Sequence, residues 1–284
     1  ESIEGLAPLH NPPADACIDM MRKLMPDTPE VAVFDTAFHT TMPPKAYMYP
    51  LPMRYYEDYR IRRYGAHGTS HRYAAQQAAN LLGRPLKDLG LITCHLGNGG
   101  SITAVNHGKS IDTTMGFTPL DGLMMGTRSG SIDPAIVTFL MEHEGLSTEE
   151  VNDVLNKKSG LLGVSGISND LRMVRDASNA GDERAILAYE MYSSICKKYI
   201  GQYLALISGA DAIVLSAGVG ENCQKMRRMI FSGFQPLGII LDPEKNKQRG
   251  FERIISTDNS AVTIIVIPTD EEYMIALDTK NLTK

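Results

Sequence analysis

Cysteine is scarce and scattered in this chain. Cys17, Cys94, Cys196 and Cys223 are the four among 284 residues, and none falls in a Cys-x-x-Cys pair. That spacing argues against a disulfide frame and fits reduced thiols in a cytosolic protein. Charge of one sign is also lacking: the formal net charge is −5, and charged residues make up 21%. Nothing here suggests a nucleic-acid partner or an anionic membrane surface. No apolar run reaches bilayer-spanning length, and no signal peptide is visible. What is present is ample apolar content for one large domain or two smaller ones. The chain begins with Glu1, not Met, and runs at once into a proline-rich loop holding His10 and Asn11. A further N-terminal portion is therefore expected.

The densest pattern runs from residue 91 to 117. Residues 91–95 form an apolar, partly β-branched run, which predicts a buried strand. Gly97-Asn98-Gly99-Gly100 breaks it. Asn-Gly is a strong hairpin signal because both central turn residues need positive φ. A second strand follows over 101–105, a turn at Asn106-His107-Gly108, and a third strand over 110–114. The first turn gathers His95, Asn98, the glycines and Ser101. It reads equally as an anion-binding nest of main-chain N–H groups and as an ordinary tight turn. It does not match the Walker pattern, since a strand follows it and not a helix.

Before this run, the pattern predicts a helix over 13–24 and a short buried strand over 31–34, with Asp35 at its C-terminal end. A Tyr/Met/Pro-rich excursion covers 42–59. A helix capped by Thr69 or Ser70 runs to Leu82 and ends at Gly83. After the run, a glycine- and methionine-rich loop carries Arg128, and Asp133-Pro134 opens a helix. Ser147-Thr148-Glu149-Glu150 is a capping box. A glycine loop over 160–168 leads to Asp170. A long helix is predicted over 182–208 and a buried strand over 211–216. That strand runs into a turn of Gly218, Val219, Gly220, Glu221 and Asn222, with a helix after it. A last strand covers 261–267, and residues 268–272 cap a terminal helix. This order fits a mixed α/β sheet layered with helices.

Several polar loops follow apolar strands: Asp35, the Asn98 turn, the 218–222 turn and the loop to Glu271. If the strands share a sheet edge, the loops converge on one crevice. Their contents suit a nucleotide phosphate with a divalent metal. Glycine turns supply N–H groups, and Asp35 and Glu271 supply hard oxygen ligands. Arg128 and His67 could stabilise a transferring phosphoryl group. Each residue alone also has a structural reading, as a cap, a surface ion pair or a loop histidine. A zinc site at His67, His71 and His95 is a weaker alternative, because the spacing lacks the glutamate of His-Glu-x-x-His.

The stretches LAPLHNPP, VFDTAFHTTMP, YGAHGTSH, ITCHLGNGGSITAV, MGFTPLDGLMMGTRSGSIDP, KKSGLLGVSGISNDLR, AGVGEN and IPTDEE run in order over nearly the whole chain. Together they resemble the acetate kinase family. The resemblance implies a two-domain actin-like (RNase H-like) α/β kinase fold, with the first domain incomplete in this chain. Residues 1–40 would belong to the N-terminal domain and 41–271 to a C-terminal nucleotide-binding domain. Residues 272–284 would form a helix returning to the first. The implied activity is reversible, Mg²⁺-dependent phosphoryl transfer between ATP and acetate, giving acetyl phosphate and ADP, in a cytoplasmic homodimer without nucleic-acid or membrane partners.

Carried over by position, the resemblance makes Asp35 the active-site acid and gives His67 and Arg128 to the transferring phosphoryl group. His95, Leu96, Gly97, Asn98 and Gly99 would bind ATP phosphates. Asp170, Leu171 and Arg172 would form the adenosine pocket with Gly218, Val219, Gly220, Glu221 and Asn222, and Glu271 would help to hold Mg²⁺. This chain departs from the family at Ala66, where phenylalanine is frequent, at Leu171 and at Asp270. The family's Ser-rich phosphate loop with its lysine, and an arginine for the acetate carboxylate, are not in this sequence. The alternatives are a propionate or butyrate kinase, or a catalytically inactive nucleotide-binding fragment, complemented by a separate N-terminal fragment if one exists.

Overall fold

The computed structural model of the chain describes residues 11–283. His10 and most of the proline-rich loop lie outside the described residues, and Asn11 already begins helix α1 (Asn11–Leu24). The short helices α2 (Pro44–Tyr47) and α3 (Arg54–Tyr59) form the Tyr/Met-rich excursion. Helix α4 (Gly68–Leu82) leads into β1 (Gly90–Leu96), β2 (Gly100–Asn106) and β3 (Lys109–Thr113). Four helices follow: α5 (Ala135–His143), α6 (Thr148–Lys157), α7 (Gly160–Ser165) and α8 (Leu171–Asn179). The long α9 (Glu183–Ile207) precedes β4 (Ala212–Ser216), α10 (Ala217–Asn222) and α11 (Gln224–Phe231). The chain closes with β5 (Arg253–Ile254), β6 (Thr263–Val266) and α12 (Glu271–Leu282).

The six strands form one sheet in the order β3-β2-β1-β4-β6-β5. The β1-β2-β3 meander is antiparallel, while β1, β4 and β6 run parallel. Strand periodicity divides the core between the two faces. Ile92, Cys94, Ile213, Leu215, Ile264 and Val266 pack on α9 and α11. Leu91, Ala212, Val214 and Ile265 pack on the other face, against Ala74, Ala75, Ala78 and Ala79 of α4 and Met274 of α12. Alanines on that face of α4 let the helix lie close to the sheet. Each buried isoleucine or leucine stabilises the fold by roughly 1.5–3 kcal/mol.

Four local expectations are corrected by this packing. Residues 31–34 form no strand, and Phe34 is 63% exposed. The run pairs with no strand among the described residues, and an apolar segment without a ladder partner has nothing to hold it extended. Residues 160–165 are helical, because Leu161 and Val164 are packed against the α9 core and that burial overrides the glycine signal. Residues 217–222 are likewise a helix and not a turn, started by Ala217 at φ 62° directly after β4. Neither Asn98 nor Gly99 takes left-handed backbone; a Gly97 N–H to Gly99 C=O bond of 2.9 Å closes a three-residue loop instead. The second turn does meet the expectation, with His107 at φ 52° and Gly108 at 76°.

Candidate active site

Because β1, β4 and β6 are parallel, the loops after them gather at one sheet edge. Glu221, at the end of α10, accepts a hydrogen bond from the Thr269 N–H at 3.0 Å. Ser70, in the first turn of α4, bonds the Thr269 hydroxyl at 3.2 Å. The convergence expected from the strand order is therefore present.

Period two also explains why this edge is polar on the α4 side. Ile92, Cys94 and Leu96 face α9, so Thr93 and His95 point towards the start of α4. His95 Nδ1 bonds Ser70 Oγ at 2.8 Å, and His71 Nδ1 bonds Thr93 Oγ1 at 2.8 Å. Ser70 is thus occupied by His95 and does not cap α4. The cap is Asp35, whose carboxylate accepts the His67 N–H at 2.5 Å and the Thr69 N–H at 3.4 Å. Gly68 makes that approach feasible: a methyl group there would collide with the Asp35 carbonyl oxygen. The cap expected at Thr69 or Ser70 is thus supplied by Asp35, which also stands beside His67.

The His67 and His95 rings stack at a centroid distance of 4.2 Å and 20°. His67 Nδ1 bonds Ser101 Oγ at 2.8 Å. Burial, and then the neighbouring His67 charge, push His95 down to about 3, against a smaller upward pull from Asp35. Burial also holds His71 far below the usual histidine range, helped by His39, His95 and His67. Each ring nitrogen of His71 bonds a hydroxyl, Thr93 on one side and Ser101 on the other. It has no nitrogen to give to zinc. Among the described residues no group of three His, Cys, Asp or Glu side chains is placed to hold a metal.

Arg128 comes from the long loop after β3. Its Nη1 donates to the Pro119 carbonyl at 3.1 Å, and it makes no ion pair among the described residues. Burial alone lowers its pKa. A methyl group on Gly99 would sit 3.6 Å from Arg128 Nη1 and 3.6 Å from His67 Nε2. Both side chains thus come close to one point above Gly99. Across the site, the Glu271 carboxyl is raised, first by burial and second by the charge of Asp35. Two mutually repelling carboxylates are a donor set that a hard divalent cation would relieve. With one or two protein oxygens, Mg²⁺ normally completes its shell with water and substrate phosphates.

Beside this edge lies a cleft of about 660 Å³. It brings together Gly97, Asn98, Asp170, Leu171, Arg172, Gly218, Val219 and Asn222, from three separated stretches of sequence. Asp170 caps α8 through the Arg172 N–H (2.8 Å) and pairs with the Arg172 guanidinium at 2.6 Å, which lowers the one and raises the other. Five of the expected nucleotide residues do not line it: His95 bonds Ser70, and Gly99 lies beside Arg128 and His67. Leu96 is 1% exposed in the core, Gly220 packs on Leu215, and Glu221 reaches Thr269. Arg175, Tyr189, Cys223 and Arg249 line the cleft and were not expected. Arg175 lies one turn after Arg172 on α8, so reading that helix from its Asp170 cap would have flagged it. His39 was also missed; it is fully buried and bonds Ser110 Oγ at 2.9 Å and the Ala66 carbonyl at 3.0 Å.

An antiparallel meander continued by two parallel strands, with a nucleotide-sized cleft at their C-terminal edge, is the architecture of the actin-like α/β phosphotransferases. Comparison with known proteins narrows that class, and the chain belongs to the acetokinase family, which it matches over residues 1–277. It is 61% identical to an acetate kinase of Caldanaerobacter subterraneus subsp. tengcongensis, over all of this chain and 71% of that protein. The crystal structure of Porphyromonas gingivalis acetate kinase superposes with a TM-score of 0.96 at 48% identity, covering 100% of this chain and 71% of the other. A propionate kinase from Francisella tularensis superposes with a TM-score of 0.93 at 46% identity, covering 99% and 71%.

Proposed function

We propose that this chain transfers a phosphoryl group reversibly between ATP and acetate, giving acetyl phosphate and ADP, with Mg²⁺. The observation that carries this reading is the convergence of His67 Nε2 and Arg128 Nη1 on one point above Gly99, between the cleft and the two carboxylates. Phosphoryl transfer needs chiefly positioning and neutralisation of charge. In this reading the 660 Å³ cleft takes the adenosine, and the Gly97-Asn98-Gly99 loop lies along the phosphates. Gly97 spends its own N–H on Gly99, so its part is close backbone approach more than donation. Arg128 and His67 donate to the oxygens of the transferring group. Asp35, fixed by two main-chain N–H groups, stands by the acceptor carboxylate and orients it. Asp35 and Glu271 would hold Mg²⁺, which supplies neutralisation of the phosphate oxygens when bound.

The same reading carries a homodimer in the cytoplasm; no helix of the described residues is long and apolar enough to cross a membrane. A propionate kinase is the second reading, supported by the Francisella neighbour and by the small Ala66 next to His67. The test is ATP synthesis from ADP with acetyl phosphate or propionyl phosphate, for the wild type, His67→Ala and Arg128→Ala. The proposal expects both substrates to be used, acetyl phosphate with the higher kcat/KM, and both variants to lose about a hundredfold or more in kcat. Undiminished variants would refute the assigned roles, and a preference for the longer acyl group would favour the second reading.

A further inference from the structure

The hydroxyl of Ser101 sits between two imidazoles. It is 2.8 Å from His67 Nδ1 and 2.7 Å from His71 Nε2, on a residue of β2 with no solvent exposure. A serine hydroxyl has one proton to donate, and the rest of the chain of bonds decides where that proton goes. At the far end, Thr93 Oγ1 lies 3.5 Å from the Thr103 carbonyl, which can only accept. Thr93 therefore donates there and accepts from His71 Nδ1–H at 2.8 Å. His71 is neutral in its buried position and has only that one N–H. Its Nε2 then carries a lone pair, which takes the Ser101 proton. The Ser101 oxygen is left as an acceptor, and the group facing it must be His67 Nδ1–H.

We propose that Ser101 is a positioning residue, which together with His71 and Thr93 holds His67 as the Nδ1–H tautomer and turns Nε2 towards the phosphoryl space above Gly99. The inference rests on the reading of His67 as a phosphoryl-facing group, but the tautomer is a property of the protein alone. Without the serine, His67 Nδ1 loses the hydroxyl it bonds at 2.8 Å, the acceptor that holds its proton on that nitrogen. Ser101 touches no substrate in this arrangement. Its effect reaches the reaction through His67.

Long-range ¹H–¹⁵N NMR of histidine-labelled protein at alkaline pH tests this, with the His67 signal identified by its loss in His67→Gln. The wild type is expected to show His67 protonated on Nδ1. Ser101→Ala is expected to lose that signature, and kcat is expected to fall about ten- to a hundredfold with KM for ATP little changed. Ser101→Thr, which restores the hydroxyl, is expected to recover both. Should Ser101→Ala fail to fold, Thr93→Val removes the far acceptor at nearly constant volume and is expected to release the His71 and His67 tautomers without touching His67. A wild-type His67 protonated on Nε2 would overturn the proposal, as would an unchanged His67 signature and kcat in Ser101→Ala or an unchanged His67 signature in Thr93→Val. A wild type with the Nδ1–H signature but no phosphoryl transfer would sustain the tautomer assignment and defeat the functional reading instead.

Discussion

His67 and His95 lie face to face at 4.2 Å, so the two rings cannot both be imidazolium cations without strong repulsion. The site resolves this by keeping His95 neutral, at about 3. A histidine lowered in the folded state takes up its proton only on unfolding. Stability is therefore full above about pH 6.5 and is lost as the pH falls from there towards 3. His71 and His39 act in the same direction, both lowered mainly by burial. The free energy of unfolding is expected to fall as the pH drops from about 6.5 to 5, with His95 contributing at most about 1.4 kcal/mol per pH unit. His95→Asn is expected to make the slope shallower. A urea midpoint independent of pH over that range would contradict the assignment.

Arg128 predicts opposite effects on activity and stability. Its guanidinium is partly buried without an ion pair among the described residues, an arrangement that burdens the fold. Arg128→Ala is expected to lower kcat about a hundredfold or more while leaving the thermal midpoint unchanged or raising it slightly. Loss of both together would mean that the residue serves the fold.

Gly99→Ala probes the space between Arg128 and His67. Its methyl group would make ordinary 3.6 Å contacts and needs no left-handed backbone. The variant is expected to fold with an unchanged melting temperature, bind ADP, and turn over at least about tenfold more slowly. Wild-type turnover would show that no substrate atom enters this space.

Glu271→Gln removes the carboxylate that faces the Asp35 charge. An acid raised in the folded state stabilises at low pH and loses that contribution as the pH rises through its folded value. The variant is therefore expected to be at least as stable as the wild type at pH 8. It is also expected to need several times more Mg²⁺ for half-maximal turnover, about tenfold at most. An unchanged Mg²⁺ requirement would remove Glu271 from the metal.

The sheet was legible wherever local signals and tertiary packing agreed. Strands β1 to β3, the long α9 and the α6 capping box all carry their own patterns. Residues 31–34 carry an equally good strand pattern, but extended structure also depends on a neighbour to pair with. Helix α7 failed in the opposite direction, since Leu161 is buried against α9 despite flanking glycines.

The site divides in the same way. Asp35, His67, Arg128 and the Gly97-Asn98 loop stood out because several polar groups followed apolar runs. His39 did not, and Ser101 stood out only as a polar group of the first turn, because their partners are distant in sequence: Ser110 lies 71 residues from His39, and His67 lies 34 from Ser101. The Asp170-Leu171-Arg172 side of the cleft was found only by resemblance, since its helix went unread and its contact with Gly97 and Gly218 exists only in the folded chain.

The most direct measurement is ³¹P NMR of the protein incubated with ATP, Mg²⁺ and acetate. The account predicts acetyl phosphate appearing in equal amount with ADP, and neither when acetate is withheld. ADP bound in the cleft with no acetate-dependent acetyl phosphate, under conditions where the protein is folded, would contradict it.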